Sequence, residues 1–357
     1  MSDETIEGVE GNGGSMRLST MLDYSQGIKQ SADHVAELER AGLDIVWVAE
    51  AYGLDGPSQM GYIAAKTDRV EIGSAILPIY SRTPVLLAQT AAGIDALSDG
   101  RFILGLGASG PQVVEGWHGV PYTQPLERTR EIIGICRKVW RREVVTNDGL
   151  YPIPLPPGLG TGLGKPLKLI NHPVRAQIPI WVASMGPKNV EMTAELADGW
   201  FPFLFIPERA REVWGSALDA GSAKRSTDLA PLEIAAGGLV AIGDGLEHLR
   251  ELARPMTALY VGGMGARGRN FYNALTRRYG FEAEAALIQD LYLSGKKEQA
   301  AAAVPDELLE LTSLVGSPGY VKERVAAYRE AGVSVLNVTP VGPDPLAIVE
   351  QLKEWCS

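Results

Sequence analysis

Eight strand-length apolar runs, nearly all separated by helix-length segments, constrain this chain more than any single motif. The runs are Arg17–Leu22, Ile45–Ala49, Val70–Ala75, Phe102–Leu106, Ile178–Ala183, Gly199–Phe203, Leu232–Ile242 and Val335–Thr339. Ile45-Val46-Trp47-Val48-Ala49 has no polar alternation, as a strand buried on both faces requires. Ahead of it Ile28, Ala32, Val35 and Leu38 follow helical spacing, with Lys29, Asp33, Glu37 and Arg40 on the other face and Gly42 in a C-cap position. The same reading predicts helices over 58–66, 84–97, 126–141, 187–196, 207–220, 319–331 and 346–355. Strand–helix alternation implies a parallel sheet, and eight strands predict a (β/α)8 TIM barrel. The chain has 357 residues, more than the roughly 250 typical of that fold. Two excursions account for the surplus. One follows the fourth strand and includes the proline- and glycine-rich stretch 152–166; the other, 245–315, follows the seventh. A doubly wound open sheet is the main competitor, but no Gly-x-Gly-x-x-Gly follows the first strand. Residues 1–15, acidic and glycine-rich, read as a disordered leader, leaving 16–357 as the barrel domain.

The balance of 43 acidic against 33 basic residues gives a net charge of -10, which argues against nucleic acid as a general partner. Cys136 and Cys356 form neither a disulfide framework nor a metal spacing, and Cys136 shares an apolar helical face with Ile132, Ile133 and Val139. That usage suits a reducing cytoplasm. The four histidines are scattered, so no metal site is expected, and no apolar run is long enough to span a membrane. The expected partner is a small-molecule substrate, with the protein a homo-oligomer, such as a dimer.

In a barrel of this kind the active site lies at the C-terminal ends of the strands. The residues there are Asp23 and Tyr24, Glu50 and Tyr52, Ser74 and Ala75, Gly107 to Gly110, Ala183 to Pro187, and Thr339 with Pro340. Few are nucleophilic, so a bound cofactor is expected to carry the chemistry. The glycine-rich run 107–119 allows backbone to lie close to a flat ligand, because glycine lacks a Cβ and accepts positive φ. Ala183-Ser184-Met185-Gly186-Pro187-Lys188-Asn189 passes from strand to helix with proline in the first turn, where free N–H groups and the helix dipole attract an anion. An ordinary strand–helix turn reads the same way. Arg267 and Arg269, set among glycines, either close over an anionic tail or substrate or belong to a solvated loop. Trp117 and His118 either line the substrate space or pack the excursion.

The wording Asp-Gly-Arg-Phe-Ile-Leu-Gly-Leu-Gly (99–107), followed by Ser-Gly-Pro-Gln-Val-Val-Glu-Gly-Trp-His-Gly (109–119), resembles the luciferase-like monooxygenase superfamily. Within it, the sequence is most similar to oxidoreductases that use the deazaflavin coenzyme F420. The resemblance covers Met16 to Ser357. It implies a non-prolyl cis peptide at Ser74–Ala75, forming a bulge behind the deazaflavin ring. It implies that Gly107, Ala108 and Ser109 run along the ring or its side chain, that Val113 faces the same pocket, and that Ala183, Ser184, Met185, Gly186 and Pro187 meet the cofactor chain or its phosphate. One departure stands out. Relatives that oxidise alcohols carry an acidic residue followed by histidine after the second strand, whereas here Glu50 is followed by Ala51. The usual base is missing, so reduction is expected, with Glu50 or Tyr52 as proton donor; Glu50 reads equally as a structural carboxylate paired with a basic neighbour. A two-component monooxygenase using reduced FMN and a non-catalytic flavin- or deazaflavin-binding protein are the alternatives.

Overall fold

The computed structural model describes residues 15–23 and 27–357; the expected leader, apart from Ser15, and Tyr24 lie outside the described residues. Eight parallel strands close into a barrel: Arg17–Met21, Ile45–Val48, Glu71–Ser74, Phe102–Gly107, Ile180–Ala183, Gly199–Phe201, Glu233–Ala236 and Val335–Asn337. Each pairs with the next, and the eighth pairs with the first through Arg17↔Val335 and Ser19↔Asn337. The fold is the TIM barrel expected, with the two long excursions after the fourth and seventh strands.

Several helix boundaries follow from local chemistry. Helix Pro84–Leu97 starts at Thr83, whose side chain accepts the Leu86 N–H, with proline in the first turn. Helix Pro187–Leu196 starts the same way behind Gly186, but without a side-chain cap. Helix Pro125–Trp140 buries Ile132, Ile133, Cys136 and Val139, the face the spacing predicts.

Two tryptophans fill the middle of the barrel. Trp47 is in register with Gly73 on the next strand, and Trp181 with Gly199 on the next. A Cβ at Gly73 would lie 2.2 Å from Trp47 ring atoms, and one at Gly199 would lie 2.1 Å from Trp181. Each indole therefore lies across the strand beside it, where only a glycine leaves room. The two rings are 5.2 Å apart, and Phe201 meets the Trp47 ring edge-on at 4.8 Å. Ile45, Ile103, Ala235 and Val335 complete this inner cluster. It forms a solid floor under the C-terminal ends of the strands.

Three expectations are corrected. Leu232–Ile242 is not one strand: Glu233–Ala236 belongs to the barrel, whereas Leu239–Ile242 joins Leu314–Gly316 and Thr339–Pro340 in a separate three-stranded parallel sheet. Gly237 and Gly238 make the step, because a Cβ at either would lie 2.2 Å from the Asn337 carbonyl oxygen or 2.1 Å from that of Thr312. The run 107–119 is not all loop, since Pro111–Gly116 is a short helix that buries Val114. The cis peptide is Ala75–Ile76, one residue beyond Ser74–Ala75.

Candidate active site

The strands leave the floor with small side chains. Ala75 ends the third, Gly107 and Ala108 end the fourth, and Ala183 ends the fifth. Ser74 is fully buried; its hydroxyl donates to the Gly105 carbonyl and accepts the Gly105 N–H, both at 2.8 Å. It therefore fastens the third strand to the fourth just before the cis bond and offers no free group to a ligand. A Cβ on Gly105 would lie 1.7 Å from the Ser74 backbone carbonyl oxygen, so this close approach of the two strands also requires glycine. Beyond the cis bond Ile76 packs across the fourth strand, 2.7 Å from where a Gly107 Cβ would be. Gly107 thus makes room for the bulge itself. Ser109 follows with φ of +57°, a conformation that costs a non-glycine residue free energy and clusters at functional sites.

Glu50 stands at the end of the second strand, but not as a lone carboxyl. Its two oxygens accept from the Arg82 guanidinium at 2.5 and 2.8 Å, and the Gly56 N–H donates to Oε2 at 2.7 Å. Both side chains are largely enclosed, at 8% exposure for Glu50 and 15% for Arg82. A Gly56 Cβ would lie 3.3 Å from Leu77 and 3.5 Å from Glu50 Oε2, so the pair abuts the segment that follows the cis bond. Of the two readings of Glu50, the pairing favours the structural carboxylate over the free proton donor. Glu50 and Arg82 instead tie the loop after the second strand to the bulge after the third. Arg82, 32 residues downstream, has no sequence signal beyond its place before Thr83-Pro84. Tyr52, the other expected donor, is 70% exposed and reaches the rim only.

On the fifth strand, Ser184 is buried and its hydroxyl shares a 2.8 Å hydrogen bond with Thr193, while its carbonyl accepts the Trp200 indole N–H at 2.9 Å. These contacts anchor the start of helix Pro187–Leu196, leaving the Gly186 end without a side-chain cap. Met185 packs on the core. Lys188 is 82% exposed and reaches Glu191 at 3.1 Å. A Gly186 Cβ would meet only Phe271, at 3.9 Å, so helix Phe271–Arg278 of the second excursion stands beside this end.

The remaining expected residues divide. Val113 is half-buried on the short helix after the fourth strand, and Trp117 is 66% exposed. His118 buries its Nε2 atom without a hydrogen-bond partner. Arg267 turns outward to Asp290 at 3.0 Å, and Arg269 is exposed. Thr339 and Pro340 enter the small sheet rather than the rim alone. Among the described residues no group of three histidine, cysteine, aspartate or glutamate side chains could hold a metal ion, and no helix is long and apolar enough to cross a membrane.

The strand ends thus form a slot walled by backbone and small side chains, with an uncapped helix end to one side. That arrangement suits a planar group with an anionic tail. Residues 15–334 match the luciferase-like monooxygenase family. A protein of Mycobacterium tuberculosis with the provisional name coenzyme F420-dependent oxidoreductase Rv3520c is 42% identical over 332 residues, covering 91% of this chain and 95% of that protein. The 5,10-methylenetetrahydromethanopterin reductase of Archaeoglobus fulgidus is 28% identical over 320 residues, covering 87% of this chain and 90% of its own. Among solved structures, the coenzyme F420-dependent tetrahydromethanopterin reductase of Methanopyrus kandleri superposes with a TM-score of 0.74 at 20% identity, over 96% of this chain and 97% of that one. The chain belongs to the luciferase-like monooxygenase family.

Proposed function

We propose that the protein is a coenzyme F420-dependent oxidoreductase acting as a reductase on a small organic molecule with a carbonyl, imine or activated alkene. The observation that carries this reading is the slot of small residues: Ile76 and Gly107 meet at the Ala75–Ile76 bulge, and the uncapped Gly186–Pro187 helix end lies on the next strand. In this reading Ala75, Ile76, Gly107, Ala108 and Ser109 hold the ring. Ala183 to Pro187 hold the chain and its phosphate, through backbone N–H groups at the helix end. When bound, the deazaflavin supplies hydride chemistry. The protein keeps the ring flat against the bulge and excludes water with the Trp47–Trp181 floor. Glu50 and Arg82 hold the two loops that frame the substrate side. Reduction also consumes a proton, for which Tyr52 at the rim and the unpartnered His118 Nε2 are the candidates. The protein would work in a reducing cytoplasm as a homodimer, with residues 16–357 acting as one unit.

The 42% identity with the mycobacterial protein favours F420 over FMN as the coenzyme. The test is to titrate apoprotein with each and follow fluorescence. The expected result is F420 binding at least about tenfold tighter than FMN, equivalent to about 1.4 kcal/mol. Equal or reversed affinities would move the protein to the FMN monooxygenases, and binding of F420 without turnover of any carbonyl or alkene probe would leave a binding protein.

A further inference from the structure

Three aromatic side chains meet beside the mouth in a way that neither the slot nor the core explains. Phe203 lies two residues past the end of the sixth strand, and the next residue, Leu204, has φ of +50°. Tyr260 and Tyr272 come from the second excursion. Phe203 and Tyr260 have ring centres 4.2 Å apart at 33°, while Tyr272 meets both edge-on, at 5.2 and 4.7 Å. All three are half-buried, unlike Trp47 and Trp181, which are sealed in the floor. Phe271, the neighbour of Tyr272, is the side chain nearest Gly186, so the trio stands between the ends of the fifth and sixth strands.

The backbone that carries these rings is held with unusual care. Tyr260 sits in a π-helical turn, Leu259–Gly263, which continues helix Arg254–Ala258. Such turns are rare and are frequent at functional sites. Gly262 and Gly263 press on Tyr292, where added Cβ atoms would lie 2.6 and 2.4 Å from its side chain. Asn270, buried, donates from Nδ2 to the carbonyls of Tyr260 and Val261 at 2.9 and 3.1 Å, and its Oδ1 accepts the N–H groups of Tyr272 and Asn273 at 2.9 and 3.1 Å. Asn273, also buried, donates to Val261 and Ala285 at 3.1 and 2.7 Å. These two side chains lock the turn that bears Tyr260 to the helix that bears Tyr272. Arg277 donates from Nε to the Asn273 Oδ1 at 2.8 Å, and Arg267 is turned away to Asp290.

We propose that Phe203, Tyr260 and Tyr272 are the substrate-selecting wall, and that the substrate class is a flat, conjugated ring ketone or lactone rather than a linear chain. The proposal rests on the oxidoreductase reading above and names its substrate. Pre-positioned aromatic faces favour a rigid π-system, which stacks without losing internal freedom. A linear enone of the same size offers only a small face and carries a flexible chain that must be ordered. The Tyr272 phenol is a neutral O–H able to donate to a carbonyl oxygen, and burial moves it further from ionisation.

The test compares two activated alkenes of nine carbons, coumarin and trans-3-nonen-2-one, by calorimetric titration of the apoprotein and of the protein saturated with F420. Coumarin is expected to bind at least about tenfold more tightly, or about 1.4 kcal/mol. Phe203→Leu should remove most of that preference while leaving F420 affinity and the near-ultraviolet circular dichroism of the tryptophans within twofold and unchanged, respectively. Tyr272→Phe keeps the ring and should retain the greater part of it. Equal affinity for the two probes, no binding of either, or a Phe203→Leu change that weakens both alike would overturn the proposal. The wild-type comparison needs no variant to fold. A preference for coumarin in a protein that binds no F420 would sink the coenzyme assignment and leave the wall standing; F420 binding without the preference would do the reverse.

Discussion

At the N-terminal ends of the strands, side-chain oxygens meet the entering backbone. Asp44 accepts the Leu18 N–H at 2.7 Å, Asp95 the Phe102 N–H at 3.3 Å, Asp198 the Ile180 N–H at 2.8 Å, and the Ser334 hydroxyl the Ile234 N–H at 3.0 Å. Glu39 takes three in a row, from Asp68, Arg69 and Val70, and Arg101 spreads its guanidinium over the carbonyls of Ala64, Thr67 and Val70. At the C-terminal ends the chain does the opposite. It leaves the Gly186 helix end without a side-chain cap, carries Ser109 and Leu204 at positive φ, and leaves the His118 Nε2 without a partner. The barrel architecture generally concentrates stability at the first pole and ligand binding at the second. The segment 99–119 crosses between the two. Asp99, Gly100 and Arg101 serve the closed pole, and Gly105 to Gly110 serve the open one.

The contrast depends on the aromatic floor that separates the poles, so the largest effect should come from breaking it. Gly73→Val would drive a side chain into the Trp47 ring, which has no space to move. The cost should exceed the roughly 1–3 kcal/mol usual for overpacking, and circular dichroism with gel filtration should find little folded monomer or oligomer. A Gly73→Val protein melting at the wild-type temperature would mean that the indole does not lie across this strand.

Gly107→Val tests the open pole on the same sheet. Its side chain would meet the flexible Ile76 rather than a rigid indole, so the protein should fold with a loss of about 1–3 kcal/mol. Coenzyme affinity should fall at least about a hundredfold, or about 2.7 kcal/mol, because Ile76 must move out of the bulge that backs the ring in the proposed binding mode. Thermal melting and a fluorescence titration separate the two effects. Unchanged affinity in the folded variant would mean that this glycine serves the packing of Ile76 alone.

What could be read from the sequence followed the same division. The barrel was legible because each buried strand is a continuous apolar run, and because Thr83-Pro84 and Gly186-Pro187 mark helix starts within a residue. The errors fall where distant residues decide. Leu232–Ile242 is uniformly strand-like apart from Gly237 and Gly238, and the break there is set by the Asn337 and Thr312 backbone, some 75 to 100 residues later. The cis bond lies one residue beyond the expected one because the Ser74 hydroxyl, fastened to Gly105, keeps Ser74 in the regular sheet. The basic partner of Glu50 could not be named because Arg82 belongs to another loop, and the Phe203–Tyr260–Tyr272 group is assembled from segments up to 69 residues apart that share no motif.

The closed pole can be probed by removing one charge from its densest cap. Burial pushes the Glu39 carboxyl up, but the N–H groups of Val70, Arg69 and Asp68 and the Arg69 charge outweigh it and hold the group below its usual range. A carboxylate held low in the folded state contributes stability above its unfolded value and loses it as the pH falls through the folded one. Glu39→Gln should therefore cost about 1–3 kcal/mol near pH 7, measured by urea unfolding, with coenzyme affinity unchanged. The difference from wild type should shrink as the pH is lowered below about 4. A constant difference across that range would mean that the charge of Glu39 is irrelevant and its shape is what counts.

Glu71, at the same pole, should behave with the opposite sign and a smaller size. It shares Arg17 with Glu233, which holds the guanidinium at 2.8 and 2.9 Å. Burial is the largest influence and pushes the Glu71 carboxyl up; Arg17 pulls it back, the Glu233 charge pushes it up again, and the result lies above the usual glutamate range. A raised folded value means that the folded protein holds the proton more tightly than the unfolded chain. The stability linked to that proton is full below the unfolded value, and is lost as the pH rises through the folded one. Replacing Glu71 by glutamine removes this dependence while leaving Arg17 its contact with Glu233. The stability of wild type relative to Glu71→Gln should therefore fall as the pH climbs from about 4 toward neutrality. The whole effect should stay within about 1 kcal/mol, because the pair is partly exposed to solvent. Urea titrations of both proteins at several pH values would measure it. An advantage that grows with pH would show that Arg17 outweighs burial at this site, making Glu71 another cap of the Glu39 kind.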